Sequence, residues 1–242
     1  MAKTVQYARM GLLSLIGAGL MVTHAMSSFA QTPEITEKLR NLIELKPPAD
    51  EGEGGSRGAA SSGVELICAI SPTRDTDLDT LTWLEPEVIW SDRPLFLWQP
   101  KIDDLVIQSI QVLRDDTEEI IWESPVAATQ NFIIYPPDAP PLQPGVAYIW
   151  QLVTDRPYMQ ATFQILDGAE RSSINSQMQA ISSQLTGESA TPADIALNQA
   201  LYLGEQELVS DMLKYIYAVD QPSESVQSLQ NQIVTQFCPS DS

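Results

Sequence analysis

Imidazole is nearly missing from this sequence, which holds one histidine, His24, in 242 residues. Cysteine is scarce too, with only Cys68 and Cys238. Positive charge is short: 13 lysines and arginines stand against 32 aspartates and glutamates, for a formal net charge of −19. Each shortage excludes something. Two cysteines are too few for a cysteine-ligated zinc site. The acidic balance opposes binding to nucleic acid or to anionic membrane surfaces, since both require basic patches. The apolar run from Met10 to Val22 falls short of the roughly 20 residues that cross a bilayer. The P-loop and dinucleotide-binding glycine patterns are also absent.

What is present begins with an export signal. Lys3 and Arg9 form a basic start, Met10 to Val22 an apolar stretch, and Ser28-Phe29-Ala30 places small residues before Gln31. This pattern predicts Sec-type export with cleavage between Ala30 and Gln31. The expected location is periplasmic or secreted, with no stable membrane insertion after cleavage. Loss of residues 1–30 takes His24 with it. The mature chain then has no imidazole for a Ser-His or Cys-His pair, a histidine metal site or a general base near pH 7. An enzyme is not expected. An even cysteine count in an oxidising compartment predicts that Cys68 and Cys238 form a disulfide.

The remaining chain divides by pattern. Thr32-Pro33 opens a short amphipathic helix over 31–46, with Ile35, Leu39, Leu42 and Ile43 at helical spacing. At about three turns it is too short to stand alone in water and must dock on the body or on a partner. Residues 47–63 form a low-complexity linker with too few apolar side chains to pack. From 64 to 168, runs rich in Ile, Val, Phe, Tyr and Trp alternate with Pro, Gly and Asp clusters. They predict strands at Val64–Ile70, Val88–Trp90, Leu95–Gln99, Leu105–Leu113, Glu119–Trp122, Phe132–Tyr135, Ala147–Val153 and Gln160–Leu166. Asp115-Asp116-Thr117 marks a hairpin turn. From 169 to 242 the period becomes helical, with Gly187 and Gly204 as stops and Thr191-Pro192 and Ser223 as starts. The expected fold class is α+β, an antiparallel β-sandwich followed by a helical appendage.

One string sharpens the sandwich. Leu142-Gln143-Pro144-Gly145-Val146-Ala147-Tyr148 is a Pro-Gly turn followed by a tyrosine at the head of a strand. That is the layout of a tyrosine corner in immunoglobulin-like and fibronectin type III sandwiches, with Trp98 as the matching core tryptophan. The wider layout runs from Gly55-Ser56-Arg57-Gly58 through Cys68, Leu81-Thr82-Trp83-Leu84-Glu85-Pro86 and Arg93-Pro94-Leu95-Phe96-Leu97-Trp98. It continues through the corner string to Leu201-Tyr202. Over about Gly55 to Val219 it resembles the exported cyanobacterial family catalogued as domain of unknown function 928. The resemblance brings no activity with it, none being established for that family. Leu152–Arg156 holds no cysteine where that family leads one to expect it, and Cys238 stands near the C-terminus instead.

Candidate chemistry is sparse. Gly54-Gly55-Ser56-Arg57-Gly58 matches the nucleophile-elbow string, but it lies in the linker and has no histidine to take the proton. Asp75, Asp77 and Asp79 are a weak calcium candidate: the EF-hand positions for glycine and glutamate hold Thr80 and Pro86, so a solvated acidic loop is the plainer expectation. The pairs Asp103-Asp104, Asp115-Asp116 and Glu118-Glu119 sit in turns, where adjacent carboxylates point to water rather than face each other across a cleft as glycosidases need. No cofactor is expected. Trp83, Trp90, Trp98, Trp122 and Trp150 lie in or beside apolar strands, which predicts core packing over a sugar platform. The expected function is a non-catalytic module that binds another envelope protein. The alternative is a carbohydrate-binding sandwich for envelope or extracellular polysaccharide.

Overall fold

The structure, a computed structural model, describes residues 31–45, 66–72, 86–155 and 159–239. Among the described residues, helix α1 (Gln31–Leu45) comes first, and eight strands follow: β1 (Ile67–Ser71), β2 (Glu87–Ile89), β3 (Leu95–Pro100), β4 (Ile107–Arg114), β5 (Ile120–Pro125), β6 (Phe132–Ile134), β7 (Ala147–Thr154) and β8 (Met159–Ile165). Helices α2 (Gly168–Gly187), α3 (Pro192–Glu205), α4 (Val209–Tyr217) and α5 (Glu224–Phe237) come after them. The fold is mixed α and β, and each predicted apolar run overlaps one strand. The strands form a three-stranded sheet in the order β1-β3-β6 and a five-stranded sheet in the order β2-β8-β7-β4-β5.

Pairing is antiparallel except at one edge. There β2 runs parallel to β8, with Val88 opposite Gln164, which corrects the expectation of a wholly antiparallel strand set. The cause is connectivity. The chain leaves β2 for β3 in the other sheet, so β2 meets the last strand rather than a hairpin partner. The hairpin expected at Asp115-Asp116-Thr117 joins β4 to β5, closed by Arg114 N–H to Glu119 O at 3.0 Å.

Alternation along β3 organises the core. Leu95 and Leu97 face the helices, while Phe96 and Trp98 face the five-stranded sheet, and all four are buried. Strand β6 splits the same way, with Phe132 and Ile134 on the helix side and Ile133 on the other. Successive side chains on a strand point to opposite faces, so a sheet covered on both sides reads as an unbroken apolar run such as Leu95-Phe96-Leu97-Trp98. The three-stranded sheet is therefore the middle layer between the helices and the five-stranded sheet. On the far side, Tyr148, Trp150 and Leu152 of β7 meet Phe96 and Trp98; the Phe96 and Trp150 rings lie 5.3 Å apart.

The helical layer includes α1. Its Ile35, Leu39 and Ile43 are buried among α3, α4 and α5 residues. Arg40 Nε donates to Gln232 Oε1 of α5 at 2.8 Å, and Gln232 Nε2 donates to Glu44 at 2.8 Å. Helix α1 thus docks on the body of the chain. Helix α3 starts as its sequence predicts: Thr191 and Asp194 form a reciprocal capping box with Pro192 in the first turn. Ser223 Oγ accepts from Val226 N–H at the start of α5.

Gly204 lies in the last turn of α3, which ends at Glu205. A Cβ at Gly204 would lie 2.7 Å from Met212 Sδ and 3.0 Å from Leu42 Cδ1, so a larger residue here would push the ends of these two side chains aside. Among the described residues, no helix is long and apolar enough to cross a membrane.

Candidate functional site: a groove in the helical layer

Where α1, α3, α4 and α5 converge, the packing is incomplete and leaves a groove of about 280 Å³. Leu42, Val209 and Phe237 form its walls and are only partly buried. Ile43, Gly204 and Met212 form its floor and are buried. Glu205 and Glu207 stand exposed at the rim, and among the described residues none that lines the groove is basic.

The rim backbone is fixed by local hydrogen bonds. Leu208 N–H reaches Leu203 O at 3.0 Å, and Glu207 N–H reaches Gly204 O at 3.1 Å, with Glu207 held in the left-handed region at φ 62°. The α5 wall is fixed covalently. Cys238, next to Phe237, is disulfide-bonded to Cys68 of β1 across 170 positions, as the cysteine parity predicts. The groove is thus a concave apolar surface with a negative lip, built from elements distant in sequence.

A second constellation joins the helical layer to the sheets. Asp211 of α4 is 1% exposed, and its two carboxylate oxygens accept from consecutive backbone N–H groups, Trp90 at 2.6 Å and Ser91 at 2.8 Å. Burial pushes its pKa up to about 6, against those two hydrogen bonds and the charges of Lys214 and Arg171. Lys214 Nζ donates to Ser91 Oγ at 2.7 Å, and burial holds its pKa below the ordinary lysine value while Asp211 and Asp92 oppose that shift. From α2, Arg171 donates to Trp90 O and pairs with Asp92 at 3.5 Å, while Trp90 Nε1 donates to Asn175 at 3.0 Å.

A serine beside a lysine of depressed pKa is a nucleophile arrangement in principle. Here Ser91 Oγ already donates to Arg93 O and accepts from Arg93 N–H, and Ser91 is 3% exposed. That geometry clamps the loop between β2 and β3 and denies a substrate carbonyl access to the hydroxyl.

The residues singled out in the sequence lie elsewhere. Tyr148 is buried, and its hydroxyl accepts from Gln143 N–H at 2.8 Å. Pro144 and Gly145 occupy the turn between them, closed by Val146 N–H to Gln143 O at 3.3 Å, with Gly145 at φ 76° as the third turn residue requires. Trp98 is fully buried, and its Nε1 has no hydrogen-bond partner among the described residues. Trp150 is fully buried as well, its Nε1 donating to Pro72 O at 2.8 Å. Trp90 and Trp122 are half-buried, with Trp122 stacked on Phe96.

Asp103, Asp104, Asp115, Asp116, Glu118 and Glu119 are exposed. Asp75, Asp77, Asp79, Trp83, the elbow string and the cleavage residue Ala30 lie outside the described residues, while Gln31 is the first residue of α1. No group of three potential metal ligands occurs among the described residues.

Neither the groove nor the clamp is visible in the sequence reading. Val209 and Met212 belong to an ordinary apolar period, and Asp211 occupies what looks like the polar side of a helix. No protein-family model matches the chain, and no curated protein matches it.

Proposed function

We propose that this chain is an exported cell-envelope protein, related to the family of unknown function 928, that acts as a non-catalytic module binding another envelope protein through the helical-layer groove. The groove itself carries the reading: half-exposed Leu42, Val209 and Phe237 above an apolar floor, with an acidic lip. A concavity with an apolar floor and partly buried apolar walls can receive a side chain from a partner.

The scaffold in this reading is an immunoglobulin-like sandwich. Its support is the packing of the β1-β3-β6 sheet on the β2-β8-β7-β4-β5 sheet and the Tyr148 hydroxyl bonded back to the turn at Gln143. The test is photo-crosslinking in the envelope from p-benzoylphenylalanine at position 209, with exposed Gln108 as the control position. A single protein adduct from 209 and none from 108 is the expected result; no adduct from 209 overturns the reading.

A polysaccharide-binding role draws on one observation. On the outer face of the five-stranded sheet, Gln151 Nε2 donates to Gln111 at 2.7 Å, Gln111 Nε2 donates to Glu123 at 3.0 Å, and Ser109 donates to the same Glu123 oxygen at 2.8 Å. Such a flat row of amides and a carboxylate suits sugar hydroxyls. Absence of heat on titrating envelope polysaccharide into the protein, or binding that is unchanged in Gln111→Ala, removes this alternative.

A further inference from the structure

We propose that the occupant of the groove is a partner segment that inserts one bulky apolar side chain and flanks it with lysine or arginine. This rests on the interaction reading above and names the chemistry of the partner. Size sets the first half. At about 280 Å³ the groove lies at the lower limit of small-molecule pockets and suits one aromatic or branched side chain anchored among Leu42, Val209 and Phe237.

Charge sets the second half. The C-terminal end of α3 and the N-terminal end of α4 meet at the rim, so their opposite helix-end charges offset. Glu205 and Glu207 then fix the sign, and among the described residues no lysine or arginine lines the groove beside them. The hydrogen-bonded turn through Leu208 holds these residues in place before anything binds, which lowers the ordering cost of association. A second copy of this chain is a poor occupant because its net charge of −19 repels the same lip.

The test uses the full oxidised chain and a dye-labelled, capped pentapeptide with phenylalanine between two pairs of lysines, followed by fluorescence anisotropy. Binding at moderate salt is expected, weakening at least tenfold in the double variant Glu205→Gln, Glu207→Gln. Both positions are exposed, so the fold is kept. Loss of binding is expected when glycine replaces the central phenylalanine, or when Val209→Trp fills the groove. The phenylalanine dependence separates docking from the general attraction of lysines to an acidic protein.

Equal binding by a peptide with glutamates in place of the lysines overturns the inference, as does indifference to the glutamine variants. Sedimentation showing a dimer that Val209→Trp dissolves assigns the groove to a second copy instead. Peptide affinity that rises tenfold on deleting residues 48–63 assigns it to the chain's own segment. An envelope protein crosslinked at position 209 through a segment without basic residues defeats this inference and leaves the interaction reading intact. Peptide binding of the expected kind with no crosslink does the reverse.

Discussion

Asp211 is the residue whose environment departs furthest from what its sequence position suggests. A carboxyl on a short amphipathic helix ordinarily faces water; this one is 1% exposed and grips two backbone N–H groups more than a hundred residues earlier. Its folded pKa of about 6 lies above the ordinary 3.8, so the folded state holds the proton more tightly than the unfolded chain does. The stability this group contributes is therefore fully present below pH 3.8 and is lost as pH rises through about 6, by on the order of 3 kcal/mol. Urea titrations of the native protein and of Asp211→Asn at pH 4, 5, 6 and 7 should show a stability difference that shifts against the native protein as pH rises. Parallel profiles would mean that the carboxyl does not titrate in this window. Tyr148 offers a simpler case. Tyr148→Phe leaves Gln143 N–H without its acceptor, and because Gln143 is exposed the loss should be about 1 kcal/mol in the denaturation midpoint. An unchanged midpoint would remove the hydroxyl from the account of the corner.

Among the elements, strands were legible and, apart from the β4–β5 hairpin, their partners were not. Each strand follows from a short apolar run ended by Pro, Gly or Asp, which is local information. The parallel β2–β8 edge is not local, because it depends on β3 leaving for the other sheet. Helix starts at Thr191 and Ser223 were legible because capping is chemistry within four residues. The crowding at Gly204 was not legible for the converse reason. A glycine near a helix end signals a stop, and α3 does end at Glu205, but the side chains packed on it belong to Leu42 and Met212, far away or in the next helix. The docking of α1 also needed the structure, since an amphipathic stripe does not say what covers it. With Leu39 fully buried among the later helices, Leu39→Ala should cost about 3 kcal/mol. A cost below about 1 kcal/mol in chemical denaturation would show that α1 adds little to the body it packs on.

At the scale of the molecule, the two cores share one wall. The middle sheet belongs to both, so neither the helical layer nor the five-stranded sheet can lose its packing without uncovering one face of β3. The Asp211 clamp ties the layers on the loop after β2, and the Cys68–Cys238 bond ties them between β1 and the end of α5. The disulfide was legible from parity and compartment alone, while its place beside the groove wall was not, because Phe237 reaches that wall only through the tertiary fold.

This arrangement predicts a single cooperative unfolding transition for the oxidised protein, since burial common to two layers couples their melting. Removing the bond should lower stability by roughly 2–5 kcal/mol, the upper figure being the chain-entropy expectation for a loop of 170 residues. The clamp and the shared sheet remain, so the transition should stay single while its midpoint falls. Calorimetry of the native protein and of the double variant Cys68→Ser, Cys238→Ser tests both parts. Two resolved transitions in the oxidised protein would show that the layers melt independently despite the sheet they share. An unshifted midpoint in the variant would show that the bond constrains an end already held by the packing of Val226, Leu229 and Ile233.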